Sequence, residues 1–549
     1  MVKRMGIVLV LGVSLPALLA GNGRGQDAKA SKDAEYKAQV LSLSQRIDQQ
    51  IEATWPKAGI TGAPLAPDTT YFRRLNLDLT GKIPTLLDIR DFIDDDNPAK
   101  RWLWVERFLE GEYFPRHFAA VWRNTIIGGT NSQQVQGLLP QFEVWLRQQF
   151  QSGAGYDQLV KGLITSGPNP NPYLSGFQQP GSLPGSPAAF YFANENKAEN
   201  LAGATARVFL GVKLECAQCH AHPFAKWTRE QFWEFAAFFG SVRQTPAPGG
   251  VPQPVINPGR KILIPGTSKT VNAKYLTGVE PAWKEGDDAR KVLADWIVTK
   301  DNPFFARATV DLVWQYFFGT SLLEPIVEPS DDHPITHPQL LDELAREFTA
   351  HNYDLKFLIR AIVHTRAYQR SSATHAKASK DDYWFFARMP VRGMTPEQVF
   401  DSFAEASEYV DPVGPAMNPQ AFFNQQRTPR GQFLAMFASQ DKRHETHTSI
   451  LQALFLMNGK FVAERTNPDI NASLHTIATA NPPPPGPPTT SAKRIETLVL
   501  MTLSRYPRPE ETERLVRYFE SGGPTGDRRK ALADIYWALI NSGEFLLNH

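Results

Sequence analysis

Apolar residues recur every three or four positions along most of this chain, and that rhythm restricts it to a mainly α-helical fold. Val40, Leu43, Ile47 and Ile51 mark one face of a helix predicted from about Tyr36 to Trp55. Asp68 or Thr69 opens a second helix through Phe72, Leu75 and Leu77, which stops near Gly81 with Pro84 beyond it. Thr85 is placed to cap a third and Asn97-Pro98 to open a fourth, and the same spacing continues over 114–127 and 142–150. Thr228-Arg-Glu-Gln231 is a capping-box pattern at the head of an aromatic helix carrying Phe232, Trp233, Phe235, Phe238 and Phe239. A further block starts near Asp287, runs through Trp296, Trp314, Phe317 and Phe318, then over 338–348 and 355–368, and closes with two helices from Arg494 onwards.

Strand-like alternation is confined to 260–275, where Lys261–Ile264 and Lys269–Val271 predict a small hairpin. It lies in a stretch rich in Pro and Gly. At 549 residues the chain exceeds what one core ordinarily serves. The expectation is therefore two helical domains, 36–244 and 286–549, joined by a connector at 245–285. Other breaks are a long loop at 166–187 and a stiff proline-rich spacer at 481–490.

The first residues address the chain. Lys3 and Arg4 precede an apolar run from Met5 to Ala20 and then small polar residues, the pattern of a signal peptide over 1–25. Asp27–Glu35 follows as a polar leader. No later apolar stretch approaches the length of a spanning helix. The mature protein is thus expected to be exported, periplasmic or cell-surface, without a membrane span. The 58 basic residues nearly balance 56 acidic ones, which gives no concentrated basic face for nucleic acid.

Only two cysteines occur, in Cys216-Ala217-Gln218-Cys219-His220. Two cysteines do not make a disulfide framework for a protein of this size. Cys-x-x-Cys-His is the attachment sequence of c-type heme. On one helical turn, Cys216 and Cys219 face the same way and can each form a thioether to the heme, while His220 offers its imidazole to the iron as proximal ligand. The aromatic helix after the motif is placed to wall the group off from water. Three rivals use the same residues: a Cys216–Cys219 disulfide, a metal site adding His222, and plain packing. A distal iron ligand has to come from a distant segment, with Met389, Met394, Met436 and His447 as candidates.

Other polar clusters say less. Asp331-Asp332-His333-Pro334 and His337-Pro338 read best as helix boundaries. His444-Glu-Thr-His447 spaces its histidines three apart, where a zinc helix needs four. No nucleophile elbow or phosphate-cradling loop occurs in the sequence, so catalytic residues are not legible.

Phe72-Arg-Arg-Leu-Asn-Leu-Asp-Leu-Thr-Gly-Lys-Ile-Pro84 and Cys216–Phe224 resemble the planctomycete cytochrome C-like domain. The segments 294–297, 302–307, 314–319, 337–341 and 367–372 resemble its usual C-terminal companion, a domain of unknown function. The resemblance spans nearly the whole mature chain. It implies export and a heme at Cys216–His220, and where such domains commonly carry an acidic residue after the Cys-His pair this chain has Ala221. The expected function is an exported protein with a single heme c, serving electron transfer or heme-dependent redox chemistry with a redox partner protein. The alternative is a non-catalytic scaffold that binds a cell-surface polymer and holds a Cys216–Cys219 disulfide.

Overall fold

The computed structural model describes residues 20–128, 132–167, 185–220, 227–245, 253–256, 259–322, 337–373, 379–410, 428–437, 459–479 and 490–549. Most of the expected signal peptide, the 166–187 loop and the 481–490 spacer lie outside them, as do Asp331–Pro334 and His444–His447. The described residues are mainly helical, as the apolar rhythm requires.

Helix α1 spans Ala20–Ala58 and so absorbs the stretch 27–35, which the sequence suggested as a leader ahead of it. Ala28, Lys29, Ala30, Lys32, Ala34 and Glu35 are strong helix formers with no proline among them, which explains the extension. Helices α2 (Asp68–Thr80), α3 (Leu86–Asp94), α4 (Lys100–Glu110) and α5 (Tyr113–Ile126) follow the expected boundaries closely. Thr85 caps α3 by accepting the Asp88 N–H, as its position suggested. Next come α6 (Gln133–Gln151), α7 (Tyr156–Ser166), α8 (Ala189–Ala193) and α9 (Ala198–Phe209). Then follow α10 (Arg229–Ala236, with the expected capping box), α11 (Ala289–Ile297) and α12 (Phe305–Phe318). His337 sits at the N-cap of α13 (Pro338–Ala350), the boundary role read from His-Pro. α14 (Leu355–Val363), α15 (Arg366–Gln369) and α16 (Pro396–Ala406) precede the last segment. There, helices at Ser491–Leu503, Pro509–Ser521, Arg528–Ile540 and Gly543–Leu546 replace the two that were expected.

Strand is less confined than the sequence suggested. The foreseen hairpin pairs β3 (Lys261–Leu263) with β4 (Thr270–Asn272), Ile262 opposite Val271. Two further antiparallel pairs exist: β1 (Val242–Thr245) with β2 (Gln253–Ile256), and β5 (Arg392–Gly393) with β6 (Leu547–Asn548). Strands this short carry almost no period-two signal, and β5–β6 joins segments far apart in sequence.

The main core runs from Val40 in α1 to Leu500 and draws on both halves of the chain. Ser44 of α1 donates to the Ala361 carbonyl of α14 at 2.8 Å, and Arg360 grips Glu106 of α4 at 2.7 and 2.8 Å. A second core gathers Leu77 and Ile83 with Phe403, Leu498, Leu532, Tyr536 and Phe545. Helix α2 lies between the two, so every residue from Tyr71 to Leu79 is buried.

A helix buried all round must satisfy its polar side chains internally. Arg73 donates to the Thr502 carbonyl, Ser504 Oγ and the Phe545 carbonyl at 3.0, 3.2 and 2.9 Å. It thereby meets the carbonyl end of the Ser491–Leu503 helix, where the dipole favours a cation. Arg74 donates to the carbonyls of Tyr368, Arg370 (3.0 Å) and His549 (3.2 Å). The Phe72–Pro84 segment is thus the structural hub of the described fold.

Candidate functional site

The Cys216 motif follows α9. A tight return (Val212 N–H to the Ala206 carbonyl, 3.0 Å) leads into a single 3-10 turn, Glu215–Gln218. Leu214 and Ala217 are fully buried and peg the turn to the main core, leaving Cys216 half-buried and Cys219 and His220 exposed. Cys216 and Cys219 are not joined to each other.

The turn is 3-10 rather than the α-turn expected. Residues three apart superpose in such a turn, so Cys216 and Cys219 keep a common side, whereas the four-residue alignment of Cys216 with His220 is lost. His220 follows the turn and is placed by the chain after Cys219.

Helix α10 holds the motif from the other side. The Gln218 carbonyl accepts from Arg229 Nε at 3.3 Å and from Trp233 Nε1 at 3.2 Å. Arg229 also donates to the Pro265 carbonyl at 2.5 Å, which links the motif to the β3–β4 hairpin. Beneath the turn, Gly203 of α9 lies so close to Glu215 that a Cβ there would stand 2.7 Å from Glu215 Cγ. Glu215 reaches Arg207 at 3.1 Å. The sequence pointed to α10 through its capping box and rings, but nothing in it marked Arg229 and Trp233 as the anchors of the motif.

The aromatic residues expected to shield a heme are buried in the core to which Leu214 and Ala217 peg the motif. Phe232, Trp233, Phe235, Phe238 and Phe239 are all in the main core, where Phe238 stacks on Tyr275 and Tyr275 on Trp296. The Trp233 indole N–H reaches the motif at the Gln218 carbonyl. Of the distal candidates, Met389 is buried in the main core and Met394 packs beside the second. The Met436 side chain, His447 and His222 lie outside what is described. Among the described residues no three His, Cys, Asp or Glu side chains gather as a metal site, and no helix is long and apolar enough to cross a membrane.

The half-buried Cys216 on the turn, the exposed Cys219 at its end and the His220 imidazole just beyond it, with the main chain tied down from behind, form a donor set whose chemistry fits covalent heme attachment.

This is a mainly helical protein with one cysteine-bearing turn on its surface. Residues 46–244 match the family model PSCyt2, protein of unknown function (DUF1549), and residues 289–519 match PSD1, protein of unknown function (DUF1553). The chain carries these two domains in that order, as the sequence resemblance implied. No curated protein and no solved structure is similar enough to count as a match.

Proposed function

We propose that this is an exported protein that carries one heme c on the Cys216–His220 turn and works in electron transfer or heme-dependent redox chemistry. The observation that supports this most is the joint placement of Cys216 and Cys219 on one side of a turn whose main chain Arg229 and Trp233 hold. In this reading Cys216 and Cys219 would hold the heme through thioethers, His220 would give its imidazole to the iron, and Arg229 and Trp233 would keep the turn in register. A bound heme supplies a one-electron carrier whose potential depends on the second axial ligand and on solvent exposure. The basic-then-apolar start supports export, where heme c is attached.

The second reading is a scaffold that binds a cell-surface polymer, with Cys216 and Cys219 joined in a disulfide. The same three-residue spacing and the exposure of Cys219 favour it. A visible spectrum separates the two. The full chain, made in a host with heme-attachment machinery, should show a Soret band that survives acid–acetone extraction. His220→Ala should change the iron spectrum and His222→Ala should not. Colourless wild-type protein with its two thiols oxidised would replace the heme reading with the scaffold.

A further inference from the structure

Cys216 and Cys219 occupy unequal positions. Cys216 lies within the Glu215–Gln218 turn, flanked in the chain by Leu214 and Ala217, which are both fully buried. Its neighbour Glu215 rests on Gly203 of α9 and pairs with Arg207 at 3.1 Å. Cys216 is therefore half-buried on a clamped stretch of chain. Cys219 stands at the end of the turn, one residue beyond the Gln218 carbonyl that Arg229 and Trp233 hold, and is exposed.

Thiol–disulfide exchange proceeds through a mixed disulfide, and its rate depends on the access of the attacking sulfur to the bond it breaks. An incoming disulfide as large as glutathione disulfide meets an open sulfur at Cys219 and a hemmed-in one at Cys216. The closing step has the opposite requirement. There Cys216 attacks a neighbour in its own chain and needs no room for a second molecule. A 3-10 turn rises about 2 Å per residue and eclipses positions three apart, which sets their Cα atoms about 6 Å from each other. That separation lies within the span a disulfide bridges.

We propose that the heme-free turn exchanges with small, exposed disulfides in a fixed order, with Cys219 as the entry nucleophile and Cys216 as the resolving thiol. First the Cys219 thiolate attacks glutathione disulfide. The S–S bond breaks, one glutathione leaves as its thiolate, and Cys219 carries the other as a mixed disulfide. The Cys216 thiolate then attacks the Cys219 sulfur and expels the second glutathione. The two protons of the cysteine thiols end on the two glutathione thiols, and the two electrons lost by the cysteine pair reduce the reagent. The inference builds on the disulfide reading of this turn and does not require heme.

The test uses the full chain made without heme-attachment machinery, reduced, treated with excess glutathione disulfide and followed by intact mass. Wild type should end two hydrogens lighter, with little glutathione adduct on the way. Cys216→Ser should gain one glutathione at close to the wild-type rate of thiol loss and keep it. Cys219→Ser should gain its glutathione severalfold more slowly. In urea the two variants should react at similar rates, because the fold sets the order. Iodoacetamide, read peptide by peptide on the reduced wild type, should give the same order without any substitution. Wild type that forms no disulfide would overturn the disulfide reading and this inference together. A disulfide formed while Cys216 reacts as fast as Cys219 or faster, or a difference that persists in urea, would overturn the order alone.

Discussion

Nη2 of Arg392 straddles both carboxylate oxygens of Asp78, 2.9 Å from each. Asp78 is almost wholly buried and also accepts from Tyr368 Oη and Asn548 Nδ2, both at 2.8 Å. One carboxylate on α2 thereby ties down α15, β5 and β6.

Removing that charge leaves the Arg392 guanidinium buried beside a neutral group. Asp78→Asn should destabilise the protein by about 3–5 kcal/mol, the usual cost of breaking a buried pair from one side. Urea unfolding measures it. Adding Arg392→Met should recover part of the loss, since the orphaned charge is then gone. Equal stability of Asp78→Asn and wild type would contradict the hub.

Gly81 closes α2 in the left-handed region, at φ 78°. A Cβ at this position would also stand 2.4 Å from Nδ1 of the buried His117 ring. Gly81→Ala should therefore cost about 2 kcal/mol or more, combining backbone strain with a steric clash. A melting temperature equal to wild type would show that the turn tolerates a side chain.

Burial pulls the imidazoles of His117, His337 and His364 down to about 4, from an ordinary value of 6.5. For His117 the negative charges of Asp78, Asp401 and Glu397 oppose this but do not reverse it. Its Nε2 lies 2.7 Å from Tyr316 Oη, which donates its own proton to the Asp78 carbonyl at 2.7 Å. Nε2 is then the donor to Tyr316, and the ring is neutral. Groups buried neutral bind more protons when unfolded, so their contribution is complete above about pH 6.5 and is lost as pH falls towards 4. Unfolding at pH 5 should take up roughly two to three protons. Stability that does not change between pH 7 and pH 5 would contradict this assignment.

Much of the fold was legible because amphipathic helices and their caps are local features. Thr85, Gly81 and the Thr228–Gln231 box mark helix ends through side-chain and backbone chemistry within four residues. The burial of Arg73, Arg74 and Asp78 was not legible. Their partners lie hundreds of residues away in sequence, and an arginine pair on a helix reads locally as a solvated face. The motif at Cys216 stood out by composition, yet its 3-10 geometry and its anchors on α10 depend on tertiary contacts. The aromatic run 232–239 matched the pattern of a cofactor wall and proved to be core, since ring spacing alone does not say what a ring packs against.

The anchoring of the motif has its own test. Trp233→Phe keeps a buried ring and removes one of the two donors to the Gln218 carbonyl, so it should cost about 1 kcal/mol. In protein made without heme-attachment machinery it should also speed alkylation of Cys219 by iodoacetamide severalfold, with circular dichroism unchanged. An alkylation rate equal to wild type would show that Arg229 and the buried Ala217 hold the turn without it.

The central claim is that the Cys216–His220 turn carries heme, and intact-mass spectrometry under denaturing conditions tests it most directly. The full chain from a host with heme-attachment machinery should weigh one heme more than its polypeptide, and the added mass should vanish in the Cys216→Ser, Cys219→Ser double variant. A wild-type mass equal to the bare polypeptide, or lighter by the two hydrogens of a disulfide, would contradict it.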